Sequence, residues 1–133
     1  MLFTKESDYA LRICRNLTLD TTTSIRGIAV LENISIPNAH KVARKLEKGG
    51  IIESVRGQSG GYKLVKSLDE LTLLDVYKVM EPDLAINECL KDDYICVNNV
   101  DGQCGVHKEL QRIQDILFKE LSSKSLSDVA AGK

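Results

Sequence analysis

The chain has 133 residues, enough for one domain with a real core but not for two independent ones. Hydrophobic residues at 43% beside charged residues at 28% exclude disorder as the default state, and a formal net charge of −1 gives the whole molecule no general attraction to polyanions. The opening MLFTKESDYALRIC lacks the basic patch and apolar run of a signal peptide, and no apolar stretch approaches the roughly 20 residues that cross a bilayer. A cytoplasmic protein with no membrane partner is therefore expected, in which thiols stay reduced and clustered cysteines point to metal or redox chemistry rather than to disulfides.

In chain order, Thr4 can cap a first helix expected to run to about Leu19, with Ala10, Ile13, Cys14 and Leu17 on one apolar face. Asp20-Thr21-Thr22-Thr23 breaks it. Ser24 can cap a short second helix to about Glu32, weakened at Gly27. After the turn Asn33-Ile34-Ser35, a third helix opens with Pro37 in its first turn. Ala39, Val42, Ala43 and Leu46 form its buried stripe, and Gly49-Gly50 end it. Its other face carries Asn38, His40, Lys41, Arg44, Lys45 and Lys48. Two helices joined by a short turn, the second apolar inside and basic outside, form the helix-turn-helix pattern.

Two β-prone runs, Ile51–Val55 and Tyr62–Val65, flank Arg56-Gly57-Gln58-Ser59-Gly60-Gly61 and predict a hairpin with a long, bent tip, the wing of a winged helix. A phosphate-cradling loop is the alternative for this glycine-rich tip, but the strand-loop-helix order and the following Lys-Ser/Thr of a nucleotide site are missing. Thr72-Leu73-Leu74-Asp75 resembles a capping box and starts a helix to about Glu81, stopped by Pro82. A longer helix is expected from about Cys104 to Leu121. Val106, Leu110, Ile113, Leu117 and Leu121, widened by Ile116, make a seam suited to a homodimer or to a core face within one chain. Leu126-Ser127-Asp128-Val129 adds one short helical turn.

Charge is distributed unevenly. Residues 24–66 carry eight Lys/Arg against three Glu, a net +5, whereas residues 67–103 carry nine acids against Lys78 and Lys91, a net −7. A polyanion is drawn to the first segment and repelled by the second. In the acidic segment, Cys89, Cys96 and Cys104 fall within 16 residues, and His107 follows three residues later. Thiolates are soft ligands suited to iron–sulfur clusters and to zinc. Cys104 and His107, at i and i+3, would share one helix face. Zinc accepts the same donors, although its usual C-x2-C knuckles are missing. Cys14, on the apolar face of the first helix, is expected to be a core thiol. With no C-x-x-C, no carboxylate pair in a recognisable motif and no nucleophile-base arrangement, an enzyme is not expected.

The helix-turn-helix, the sequence Arg56-Gly57-Gln58-Ser59-Gly60-Gly61-Tyr62 and the three downstream cysteines together resemble the Rrf-two family of bacterial winged-helix transcriptional regulators. The likeness extends from Thr4-Lys5 and Asp8-Tyr9-Ala10-Leu11-Arg12 to Leu126-Ser127-Asp128-Val129. It implies a mainly α fold with a small β-hairpin wing: a winged helix-turn-helix DNA-binding domain over 1–81, a cysteine-bearing cluster loop over 82–103, and a dimerisation helix and tail over 104–133. It further implies a homodimeric regulator, expected to be a repressor, whose affinity for a double-stranded DNA operator is controlled by an iron–sulfur cluster, 2Fe–2S or 4Fe–4S. Such a cluster would sense iron–sulfur status, nitric oxide or redox stress. IscR-like members take a fourth ligand from a His at the place of His107, and NsrR-like members from a partner-subunit Asp at the place of Asp8. The spacings here, Cys89-x6-Cys96-x7-Cys104, are longer than the family's five and five. Members of the CymR-like kind, controlled by a protein partner without a cluster, are the alternative, as are zinc or redox-active thiols. On DNA, Lys41, Arg44, Lys45 and Lys48 are expected at phosphates and Asn38 and His40 at base edges. The resemblance adds Arg56 in the minor groove, with Gln58, Ser59 and Gly60 beside it at the wing tip.

Overall fold

The computed structural model describes residues 3–98 and 102–133, so residues 99–101 of the expected cluster loop lie outside the described residues. Among the described residues six α-helices and a two-stranded antiparallel sheet follow in the order α1 (Lys5–Cys14), α2 (Ile25–Glu32), α3 (Ile36–Lys48), β1 (Ile52–Val55), β2 (Gly61–Leu64), α4 (Leu73–Met80), α5 (Gly105–Leu121) and α6 (Leu126–Ala130), with a 3-10 turn at Glu88–Leu90. Among the described residues no helix is long and apolar enough to cross a membrane.

Local chemistry explains where these helices begin. The hydroxyls of Thr4, Ser24 and Ser35 accept the backbone N–H of Ser7, Gly27 and Asn38 at 3.2, 3.4 and 3.4 Å. Each satisfies one of the donors that every helix start leaves over. Thr72 and Asp75 form a reciprocal capping box, with the Asp75 carboxylate accepting the Thr72 N–H at 2.9 Å. Asn33 lies in the left-handed region at φ 56° and turns the chain from α2 into α3.

Helix α1 stops at Cys14, not at Leu19 as expected. The Asn16 side chain folds back to donate to the Arg12 carbonyl at 2.8 Å and to Glu32 Oε1 at 2.7 Å, while the Asn16 and Leu17 N–H groups reach only three residues back. A short amide that bonds its own backbone competes with helix continuation. Leu17 stays in the core nonetheless.

The apolar stripes of α1, α2, α3 and α4 converge on one core that includes Ile13, Cys14, Leu17, Ile28, Val42, Leu46, Ile52, Leu64 and Val76. The hairpin pairs Ile52 with Leu64, Glu53 with Lys63, Ser54 with Tyr62 and Val55 with Gly61, so the first strand starts one residue later than expected and the second is shifted one residue towards the tip, and Val65 N–H still bonds the Ile51 carbonyl at 3.0 Å. Thr23 pairs with Tyr62 through two 2.9 Å backbone bonds, so the residue before the Ser24 cap fastens the wing to α2. Backbones approach so closely here that a Cβ on Gly61 would lie 2.3 Å from the Thr23 carbonyl oxygen. The end of the chain returns to the same body: Thr72 bridges Ser125, Leu126 N–H bonds the Leu71 carbonyl at 2.7 Å, and the Leu126 side chain enters the core.

Glu32 is buried although charged, 8% exposed. Arg15 grips both its carboxylate oxygens at 2.7 and 2.6 Å and Asn16 adds a third bond. The Arg15 guanidinium chiefly holds this carboxyl below the usual carboxylate range.

Two stability measurements test this packing. Gly61→Ala should destabilise the protein by roughly 1–3 kcal/mol in denaturant titrations, as overpacking does. Gly27→Ala, where the added Cβ meets nothing nearer than 3.9 Å, should stabilise it by about 0.5–1 kcal/mol. Equal effects would contradict the close wing-to-α2 approach. Glu32→Gln should cost roughly 1–3 kcal/mol at neutral pH. Because the folded carboxyl titrates below its unfolded value, its contribution is complete above that unfolded value and is lost as pH falls through the folded one. The gap between wild type and Glu32→Gln should therefore close on acidification, and a gap independent of pH would count against the ion pair.

Candidate nucleic-acid interface and cysteine loop

Helix α3 buries Ala39, Val42, Ala43 and Leu46, which leaves Asn38, Lys41, Arg44, Lys45 and Lys48 exposed and His40 half-buried. Beyond it, Arg56, Gln58 and Ser59 project from the wing tip and Gly60 is half-buried. The tip folds on itself through a 3.0 Å bond from Gly60 N–H to the Gly57 carbonyl, and the cross-strand pair Lys63–Glu53, 3.4 Å apart, occupies the hairpin's flank. The exposed part of α3 and the wing tip thus form a polar surface set on a rigid body. A basic helix and a glycine-rich tip that carries an exposed arginine offer positive charge at two separated places, as phosphate neutralisation on a duplex requires.

Two of the α3 lysines are already engaged. Glu6, in the first turn of α1, receives Lys41 Nζ at 2.8 Å and Lys45 Nζ at 2.5 Å. The two ammonium groups hold the Glu6 carboxyl below its usual range. No sequence signal marked Glu6, because the pairing depends on how α1 crosses α3.

The cysteine loop leaves the body at Glu81. Glu81 accepts from the Thr4 hydroxyl and, at 3.0 Å, from the Ser7 hydroxyl, which is fully buried. Still in its first part the loop is tied to α5, where Ile86 N–H donates to the side-chain oxygen of the buried Gln114 at 3.0 Å. Glu81 and Gln114 both escaped the sequence reading, since neither has a local partner.

Cys104 is the N-cap of α5, and its Sγ accepts the His107 N–H at 3.5 Å. The structure therefore brings the third cysteine and His107 together at one helix start, where unsatisfied N–H groups and the helix dipole favour an anionic ligand. Cys89 lies on the 3-10 turn, its Sγ accepting from Asn87 at 3.2 Å, and Cys96 lies in the following coil. All three are half-buried thiols. Among the described residues no three or more His, Cys, Asp or Glu side chains converge as a metal site. In chemical character three thiols and an imidazole remain a donor set that fits iron–sulfur or zinc. Asp8 stands apart from these residues, exposed on α1 and ion-paired with Arg12 at 3.1 Å. It borders a cavity of about 340 Å³ lined by Leu11, Arg12, Arg15, Leu73, Leu126 and Val129. Cys14 is fully buried, and desolvation pushes its thiol up to about 12.

A helix-turn-helix followed by a wing, with a long helix beyond an acidic linker, defines a winged-helix DNA-binding regulator. The family described as "Rrf2: Iron-dependent Transcriptional regulator" matches residues 3–132, and the chain belongs to it. The HTH-type transcriptional regulator NsrR of Halalkalibacterium halodurans is 34% identical over 96 residues, which span 70% of this chain and 66% of that protein. The structure is similar to that of CymR, the global cysteine regulator of B. subtilis, with a TM-score of 0.75 and 25% identity over 98% of this chain and 97% of that one. T. potens IscR shares the fold, with a TM-score of 0.65 and 20% identity over 98% and 86% of the respective chains. The family and its NsrR relative are regulators of transcription, not enzymes.

Alkylation of the native, metal-free protein should label Cys89, Cys96 and Cys104 and spare Cys14 until the fold opens. Mass mapping reads the result. Rapid labelling of Cys14 would show that α1 does not sit in the core as described.

Proposed function

We propose that this Rrf2 regulator binds a double-stranded DNA operator as a cytoplasmic homodimer, acting as a repressor, and that an iron–sulfur cluster held by Cys89, Cys96 and Cys104 sets its affinity. The observation that carries this reading is the start of α5, where the Cys104 sulfur and His107 occupy one helical turn at the mouth of the loop bearing the other two thiols. His107 is the fourth ligand of choice, with Asp8 of the partner subunit as the alternative. An iron–sulfur cluster, when bound, supplies redox and small-molecule reactivity that thiols and an imidazole lack by themselves.

The chain's own contacts support a route from the loop to DNA. Gln114 ties the loop to α5, and Glu81 ties it to α1. The seam of α5 supports dimerisation, since Val106, Ile113 and Ile116 are 68%, 41% and 50% exposed within one chain and half-buried Leu110 and Leu117 lie between them. A change in the seat of that helix would alter the distance between the two recognition helices, and two half-sites must match that distance.

A second reading, regulation without a cluster, draws support from the likeness to the cysteine regulator CymR. Purification without oxygen decides between them. The cluster reading expects coloured protein containing iron and sulfide, lost on substitution of Cys89, Cys96 or Cys104 by Ser and kept in Cys14→Ser. His107→Ala and Asp8→Ala, made separately, should identify the fourth ligand by which one bleaches the protein. A colourless, iron-free product that binds DNA as tightly as any reconstituted form would overturn the cluster reading.

A further inference from the structure

The charge pattern on α3 contains a feature that DNA binding alone does not explain. Four cations lie on its exposed side, yet two of them, Lys41 and Lys45, share a single carboxylate supplied from another helix. Among the described residues Arg44 and Lys48 enter no ion pair. Lys41 and Lys45 stand one helical turn apart, so their ammonium groups converge on Glu6 without leaving α3. The carboxylate is well placed to hold them. Glu6 lies within the first turn of α1, next to Ser7, whose buried hydroxyl donates to Glu81 at 3.0 Å. With its backbone fixed at that point, Glu6 loses little freedom in keeping both contacts.

We infer that Glu6 is a specificity-determining residue for DNA binding: it holds Lys41 and Lys45 on the protein and withholds them from phosphates unless the duplex fits closely enough to displace its carboxylate. This rests on the proposed placement of α3 against DNA. Exposed ion pairs are worth at most about 1 kcal/mol each, so the hold is strong enough to compete with a loosely placed phosphate and weak enough to yield to a well-placed one. The outcome is a recognition helix that meets a random duplex with Arg44 and Lys48 and meets its operator with all four cations. Non-specific affinity comes almost wholly from phosphate neutralisation, so withholding two lysines lowers it selectively.

The test is the salt dependence of binding to a mixed-sequence DNA duplex by the full-length protein. Glu6→Gln should bind this duplex several-fold more tightly at low salt, and its log–log salt slope should steepen by about 0.9 for each lysine released. The same charge change made on α5, Glu120→Gln, should leave the slope where it was. Lys41→Gln with Lys45→Gln should have little effect in the wild-type background and should abolish the gain in the Glu6→Gln background. An unchanged or weaker affinity of Glu6→Gln, or a gain that survives removal of both lysines, overturns the proposal. Arg44→Gln separates the two levels of failure. If it weakens binding and flattens the slope while Glu6→Gln does nothing, α3 faces DNA and only the role of Glu6 is lost. If Arg44→Gln and Lys48→Gln are both silent, the placement of α3 falls and the role of Glu6 falls with it.

Discussion

The hydrogen bond from Ser7 to Glu81 is the joint on which the molecule's organisation depends. Ser7 is completely buried, and a hydroxyl buried without a partner costs about 1–3 kcal/mol, so α1 must keep its first turn against the end of α4. That single requirement fixes three things at once. It positions the N-terminus of α1 across α3, it orients Glu6 toward the basic side of α3, and it sets the point from which the acidic loop departs at Pro82. A shallow hollow lined by Lys45, Lys48, Gly49, Val79, Met80 and Pro82 shows how near the end of α3 lies to that departure point.

Electrostatics acts in two registers around this joint. Within the body, Glu32 is satisfied by Arg15 and Asn16 and serves to lock the ends of α1 and α2 together. At the surface, acids and bases are paired across elements, as Glu6 is with Lys41 and Lys45, where solvent and salt can still loosen them. The net +5 of residues 24–66 therefore overstates the positive charge available to a partner, since part of it is offset by an acid outside the segment.

Features set by neighbours in sequence were legible before the structure. The caps at Thr4, Ser24, Ser35 and Thr72 each rest on a contact three residues away, and the stripe Ala39, Val42, Ala43, Leu46 declares the inner face of α3 by its spacing. What depends on chain crossing was not. Asn16 ended α1 early partly because Glu32, sixteen residues on, was there to receive it, and Thr23 became a strand partner only because Gly61 lets the wing close in. The cysteines illustrate both sides: their residue types and the proximity of Cys104 to His107 follow from spacing, whereas the positions of Cys89 and Cys96 depend on a coil with no periodicity to constrain it.

The return of the chain through α6 changes how α5 can move. At its start α5 is joined to a loop bonded to α1 at Glu81, and at its end it passes into Leu126, which is built into the core beside Leu71. It is held to one body near its middle by the Ile86–Gln114 bond and beyond its end by Leu126, so swinging away as a free arm would mean pulling Leu126 out of the core. In the proposed dimer, a signal carried by such an element would arrive as a small roll or slide of the helix that resets the separation of the two recognition helices.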